Sequence, residues 1–223
     1  MSETRDALLD RLAATLAALH PDRRVRIAID GVDGAGKTIL ADELAPLVIA
    51  QGRDVIRAGV DDFHHPRAVR YARGRHSPDG FFLDSYDYSA LRRVLLDPLA
   101  PDGSGRYVAR YFDHRADRPV TPRPQQASRT AALIFDGIFL HRPELRDGWD
   151  LSIFLQVDFA ISRARNAARD GTPDALDPDT PHGRRYGGGQ QRYLWECRPA
   201  DRADIVIDYD DFGAPKVLKW SSR

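Results

Sequence analysis

The sequence predicts an α/β fold, with a largely parallel β-sheet of about five strands flanked by helices. Five short apolar runs alternate with segments of helical periodicity, and turn-forming residues flank each run. Such runs are typical of strands that are buried on both faces of a parallel sheet. A chain of 223 residues is long enough for one domain of this kind, 1–223, and too short for two full ones.

The elements follow one another regularly along the chain. Leucines at helical spacing predict an N-terminal helix within residues 1–22, packed on the domain before the first strand. The remaining elements belong to a core at 25–208. Its strands are predicted at 25–29, 55–60, 131–135, 151–157 and 203–207, and its helices at about 37–50, 86–97, 159–170 and 184–196.

The glycine-rich turn after the first strand is the most specific motif. Residues 31–38, GVDGAGKT, fit the P-loop pattern G-x-x-x-x-G-K-[ST] and lie between a predicted strand and a predicted helix, as the motif requires. Lys37 is one of only three lysines in the chain, so a lysine-rich composition does not explain its place in the motif. We expect the loop to hold the phosphates of ATP or GTP through Lys37 and the backbone, with Thr38 on Mg²⁺. The predicted nucleotide-binding residues are Gly31, Asp33, Gly34, Ala35, Gly36, Lys37 and Thr38.

Carboxylates follow the next two strands, at the sheet edge where ligands of parallel sheets bind. Asp61 is the predicted general base, and Asp136 is predicted to hold Mg²⁺. Asp61 and its neighbour Asp62 could also be a solvated turn or a helix cap, and Asp136 an ordinary strand-terminal residue.

Two arginines of the predicted helix 159–170 are candidate catalytic residues. Arg165 and Arg169 are four residues apart and therefore share a helix face, whereas Arg163 is expected to point elsewhere. On a helical lid at about 160–185, the two arginines could close over the nucleotide and stabilise transferring charge. The alternative is a solvated basic face.

Together with the P-loop, several loose motifs resemble the uridine kinase and phosphoribulokinase branch of P-loop kinases over residues 25–208. They are DDFH at 61–64, LDSYDY at 83–88, YFDH at 111–114, FDGI at 135–138, RNAARD at 165–170 and ECRPADRADIVID at 196–208. The resemblance implies transfer of the γ-phosphate of ATP or GTP to the 5′-hydroxyl of a pyrimidine ribonucleoside, uridine or cytidine. It also implies an acceptor region at about 61–120 with a small β-hairpin. There, Asp61 matches the catalytic aspartate, Asp84 the ribose-binding carboxylate, and Tyr111 and His114 the pyrimidine contacts.

The sequence departs from that family in three places. Asp33 stands where uridine kinases often have serine, and Asp136 where they frequently have glutamate. The segment 64–80 carries Arg67, Arg70, Arg73 and Arg75, more positive charge than a neutral nucleoside needs. These arginines could form an ion-paired loop, recognise an anionic acceptor or contact nucleic acid. A kinase for another small metabolite and a non-catalytic nucleotide-binding regulator therefore stay open as alternatives.

Composition excludes other classes of protein. The net charge is zero, so no basic field indicates nucleic-acid binding. Cys197 is the only cysteine, which excludes an intrachain disulfide framework and fits a cytoplasmic location. No apolar run approaches the length of a membrane span. No lysine lies between 37 and 216, so the N-K-x-D element of GTPase switches is missing. We expect a small-molecule partner and leave open whether the chain forms a homo-oligomer.

Overall fold

The computed structural model describes residues 4–171 and 177–221. Ten strands lie in this part of the chain: β1 Val25–Gly31, β2 Val55–Gly59, β3 Arg106–Tyr107, β4 Phe112–Asp113, β5 Arg118–Pro119, β6 Gln125–Gln126, β7 Ala132–Gly137, β8 Leu151–Gln156, β9 Ile205–Asp208 and β10 Lys216–Trp220. The helices are α1 Arg5–Ala18, α2 Lys37–Ala50, α3 Arg67–Arg70, α4 Pro78–Asp84, α5 Tyr88–Leu91, α6 Phe159–Asp170, α7 Pro181–Cys197 and α8 Pro199–Arg202.

Six of the strands form the central sheet, in the order β10-β9-β8-β1-β7-β2. All neighbours are parallel except β10, which runs antiparallel to β9. Side chains of the central strands alternate between two cores because successive residues of a strand point to opposite faces. Ile27 and Ile134 pack with α1 and α2 on one face, whereas Leu133 and Phe135 pack on the other with the aromatic residues of α4 and α7. The predicted α/β fold is confirmed.

The structure adds details that the apolar pattern did not predict. β10 is a sixth strand, missed because Lys216 and Lys219 interrupt its apolar residues at the half-exposed sheet edge. The predicted helix 86–97 divides into α5, capped by Asp87, and a π-helical turn at Arg92–Leu96. The N-terminal helix is shorter than 1–22. In the acceptor region, two-stranded sheets pair β4 with β5 and β3 with β6.

Two predicted segments extend beyond the described residues. Residues 1–3 of the predicted N-terminal helix and residues 172–176 of the predicted lid lie outside them. Within the described ranges, no helix combines the length and the apolar character that crossing a bilayer requires.

Arg53 fastens the N-terminal helix to the sheet. It lies just before β2 and is 5% exposed. Its guanidinium donates to the carbonyl oxygens that end α1 and form the following turn, and to Thr130 just before β7. Since buried carbonyls without a donor are costly, this arginine satisfies acceptors that would otherwise destabilise the junction of α1 and the sheet.

We predict that Arg53→Met lowers the free energy of unfolding by about 2–4 kcal/mol, because several buried carbonyls lose their donor. Urea denaturation measures the change. The control is Arg146→Met, at an exposed arginine of a surface turn, which should change stability by less than about 0.5 kcal/mol. Equal stability of the two variants would contradict the role of Arg53.

Candidate active site

The P-loop leaves β1 at Gly31 and turns into α2 at Lys37. Gly34 and Gly36 have φ angles of 72° and 91°, a backbone conformation that side chains with a Cβ rarely adopt. A Cβ at Gly34 would also lie 2.5 Å from the carbonyl oxygen of Ser162 in α6. The two glycines therefore provide both the curl of the loop and the close approach of α6.

The register of the parallel strands brings the predicted phosphate and metal ligands together. Asp136 pairs with Ile29 in β1 and with Gly59 in β2. It thereby faces the first turn of α2, where the Thr38 hydroxyl donates a hydrogen bond to Asp136 Oδ2 at 2.6 Å. Arg57 donates to the other carboxylate oxygen at 2.9 Å.

This donor set fits a magnesium ion that binds with a nucleotide. A hydroxyl and a carboxylate are hard oxygen ligands, and Mg²⁺ commonly takes one or two protein ligands and completes its shell with phosphate oxygens and water. Thr38 and Asp136 would hold the ion, which would draw negative charge off the phosphates. The described residues contain no cluster of three or more acidic, histidine or cysteine side chains that could hold a metal without a nucleotide. Lys37 donates to the carbonyl of Val32 at 2.8 Å, within the same loop.

Two cavities adjoin the P-loop and share part of their walls. The first, which we call the P-loop cavity, has a volume of about 370 Å³ and is lined by Gly34, Lys37, Thr38 and Asp136. The second, about 280 Å³, lies between α4, α6 and α7 and is called the second cavity. Four residues line both: Asp33, Asp61, Tyr86 and Arg169.

The four shared residues bring two carboxylates, a hydroxyl and a guanidinium to the junction of the cavities. Asp61 is 71% exposed in its side chain, so its carboxylate is available to a ligand at the junction. The Tyr86 hydroxyl lies 3.5 Å from Asp61 Oδ1. Arg169 brings a positive charge to the same point. A carboxylate and a guanidinium thus both line the junction where the cavities meet.

The second cavity is lined by aromatic rings and basic groups. They are His64, Arg70, Phe81, His114, Arg163, His182 and Tyr186. The His64 ring lies 4.5 Å from that of Tyr86 and 4.8 Å from that of His114. Burial lowers the pKa of His64 to about 4, although the negative charge of Asp61 acts to raise it. The ring is therefore neutral at physiological pH.

Asp84 and Tyr111, which the sequence predicts to bind the acceptor, line neither cavity. Asp84, at the end of α4, pairs with Arg73 at 2.8 Å. Tyr111 packs beneath Arg93, whose Nη2 lies 3.4 Å from its hydroxyl. Their roles in acceptor binding stay predictions.

Arg165 also lies outside both cavities. It donates to the carbonyls of Tyr209 and Asp210 after β9 and packs over the Phe212 ring. The structure therefore does not bring Arg165 and Arg169 together. Arg165 therefore satisfies backbone carbonyl oxygens of the loop after β9. The catalytic role of Arg165 likewise stays a prediction.

Sequence reasoning missed several residues of the two cavities. Arg163, expected to point elsewhere, lines the second cavity. Arg57 gave no signal because it lies in the middle of a strand that the apolar pattern predicts to be buried. Tyr86 lies within the quoted motif LDSYDY, so that motif could have identified it. Gln190 lies in α7, whose run of glycines and glutamines matches no catalytic motif. No signal in the sequence could therefore have identified it.

The chain is similar to solved structures of kinases. A structure described as a possible uridine kinase from Bacillus stearothermophilus has 26% identity, a TM-score of 0.71, and coverage of 90% of this chain and 97% of that one. A provisionally assigned fructose transport system kinase from a Silicibacter species has 25% identity, a TM-score of 0.61, and coverage of 87% and 94%. Phosphoribulokinase from Rhodobacter spheroides, at 16% identity, a TM-score of 0.57, and coverage of 91% and 77%, shares the fold.

No protein-family model and no curated protein matches the sequence. The structural neighbours are P-loop kinases of the uridine kinase and phosphoribulokinase branch, and they agree with the central sheet and the P-loop described above.

The buried His64 predicts a pH dependence of stability. Its pKa is about 4 in the folded protein and 6.5 for the free side chain, so between these values the unfolded chain binds more protons. The free energy of unfolding should therefore fall as the pH drops from about 6.5 towards 4. In His64→Gln, which cannot titrate, this slope should be shallower between pH 6.5 and 5 than in the wild type. Urea denaturation across that range measures both slopes, and identical slopes would refute the assignment.

Proposed function

We propose that this protein is a magnesium-dependent kinase that transfers the γ-phosphate of ATP, or GTP, to a hydroxyl of a small-molecule acceptor. The observation that supports it best is the junction of the two cavities. The P-loop cavity has the groups that hold a nucleotide, and the second cavity has room for a small acceptor. Asp61 lies where the two would meet.

In this proposal, the residues at the junction divide the work of the transfer. Asp61 takes the proton of the attacking hydroxyl, while Lys37 and Arg169 stabilise the negative charge that spreads over the moving phosphoryl group. The walls of the second cavity hold the acceptor in line with the donor and reduce the loss of entropy in the transition state.

The acceptor proposed first is a pyrimidine ribonucleoside, uridine or cytidine. The motifs of the sequence support it, as does the neighbour described as a possible uridine kinase. Phe81, Tyr86 and Tyr186 offer flat apolar faces to a base. If Asp84 binds the ribose, it must exchange its ion pair with Arg73 for the sugar hydroxyls.

Arg70 favours an anionic alcohol as the second candidate. It lines the second cavity, is 9% exposed, and its Nε has no hydrogen-bond partner among the described residues. Its ion pair with Asp117, at 3.3 Å, leaves donors for a phosphate or carboxylate. Arg67 and Arg73 instead contact protein groups around Arg115 and Asp84, so only part of the basic segment faces the cavity.

A comparison of uridine, deoxyuridine and UMP decides between the acceptors in a coupled ADP-release assay. A nucleoside acceptor predicts ADP release that depends on uridine. An anionic acceptor predicts that UMP or another phosphorylated alcohol is preferred and that Arg70→Met raises its KM by about tenfold or more. Arg73→Met is the matched control. If no acceptor raises ADP release at millimolar concentration, the kinase function is refuted.

The general base gives a separate prediction. Asp61→Asn keeps the shape of the side chain but removes the proton acceptor, so kcat should fall by roughly 10²–10⁴ while ATP affinity changes little. Asp62→Asn is the control, because Asp62 pairs with Arg110 at 3.0 Å and lines only the P-loop cavity. A larger loss of kcat in the Asp62 variant would show that the base is Asp62.

A further inference from the structure

Asp33 differs from the other P-loop residues in how it is held. Its backbone N–H donates to Gln190 Oε1 of α7 at 2.9 Å, and its carbonyl accepts from the Ser162 hydroxyl of α6 at 2.5 Å. The side-chain amide of Gln190 also lies 3.4 Å from the Asp33 carboxylate. Two of the three helices beside the second cavity, α6 and α7, therefore fix this one residue.

The hold on Asp33 is rigid because its partners are buried. Gln190 is 4% exposed and Ser162 is 2% exposed. Gln190 Nε2 donates in addition to the carbonyl of Tyr186 at 3.0 Å, which fixes the orientation of the amide. Buried hydrogen bonds of this kind are costly to break, so they fix the Asp33 backbone, and the oriented Gln190 amide contacts the Asp33 carboxylate directly.

The charge of Asp33 acts on the wall of the second cavity. Asp33 lines the second cavity as well as the P-loop cavity. Its charge also helps to raise the pKa of two hydroxyls in the wall of the second cavity, those of Tyr86 and Tyr186, although burial is the larger cause. A carboxylate repels the phosphates of a nucleotide but accepts hydrogen bonds from hydroxyl and amine groups.

We infer that Asp33, held in place by Gln190, determines acceptor specificity by accepting a hydrogen bond from a second hydroxyl or an amine of the acceptor. This donor is distinct from the hydroxyl that Asp61 deprotonates, so the acceptor class is a polyol or an amino alcohol. The inference rests on the proposed kinase function. Gln190 acts through Asp33 and is a positioning residue.

Neighbouring glutamines allow a matched test. Gln190→Leu leaves every charge of the site unchanged but releases Asp33, whereas Gln191→Leu makes the same change at an exposed position of the same helix. We expect Gln190→Leu to raise the acceptor KM by about tenfold or more. Its Kd for magnesium and the non-hydrolysable analogue AMP-PNP should stay within about threefold of the wild type, because the remaining loop amides and Lys37 still bind the phosphates. Gln191→Leu should change neither constant.

A double-mutant cycle separates positioning from a general structural effect. In an Asp33→Asn background, Gln190→Leu should raise the acceptor KM by less than about twofold, because the carboxylate that Gln190 orients is already gone. Asp33→Asn alone should raise the acceptor KM without weakening AMP-PNP binding. It therefore decides the question even if Gln190→Leu fails to fold.

The possible failures are distinguishable. A wild type without acceptor-dependent ADP release would refute the kinase function, and the inference with it. An active wild type with the same acceptor KM in the Gln190 and Gln191 variants, or an Asp33 variant that loses AMP-PNP affinity and keeps its acceptor KM, would overturn the inference alone.

Discussion

The shared register of β1, β2 and β7 is the constraint on which the site depends. Asp136 pairs with Ile29 on one side and Gly59 on the other, so the three strands reach the same edge of the sheet. The P-loop and Asp61 follow their strands within two residues of this edge. A slip of one residue in β7 would turn Asp136 to the opposite face and remove it from Thr38. The hydrophobic alternation that buries Leu133 and Ile134 on opposite faces therefore also fixes Asp136 beside Thr38, the two residues proposed to hold magnesium.

A second set of contacts fastens the P-loop to the helices that wall the second cavity. Asp30, fully buried at the end of β1, accepts from the N–H of Gly31 at 2.7 Å. Its other oxygen lies 2.6 Å from His141 Nδ1 and accepts from the Tyr193 hydroxyl of α7. Tyr193 lies one turn after Gln190, so successive turns of α7 contact Asp30, just before the P-loop, and Asp33 within it. The position of α7 and the shape of the loop are therefore set together.

The sequence located the segments that form the P-loop cavity because that cavity is built from backbone and strand ends. The apolar runs located β1, β2 and β7, and the residues that follow such strands must meet at one edge. Thr38 and Asp136 both follow such apolar runs, and the Thr38 hydroxyl lies 2.6 Å from the Asp136 carboxylate. The apolar pattern did not indicate β10, because an edge strand that carries Lys216 and Lys219 has no continuous apolar run.

The acceptor half could not be predicted to the same depth because side chains from distant segments build it. Arg70, His114 and Tyr186 meet in one cavity although no local pattern connects them. Arginine was also an ambiguous signal in this chain. Arg53 and Arg165 satisfy backbone carbonyls, and Arg73 neutralises Asp84, so the residue type alone did not distinguish a structural guanidinium from one that faces a ligand.

This division has a consequence for how acceptor preference can change. The phosphate-binding loop depends on glycines and strand register, which tolerate few substitutions. The walls of the second cavity depend on individual side chains, which can be exchanged without altering the sheet. A change in acceptor preference therefore needs substitutions only in the second cavity and at Asp33, the P-loop residue that α6 and α7 hold. In the proposed kinase, the same P-loop and the proposed base Asp61 can thus serve acceptors of different chemistry.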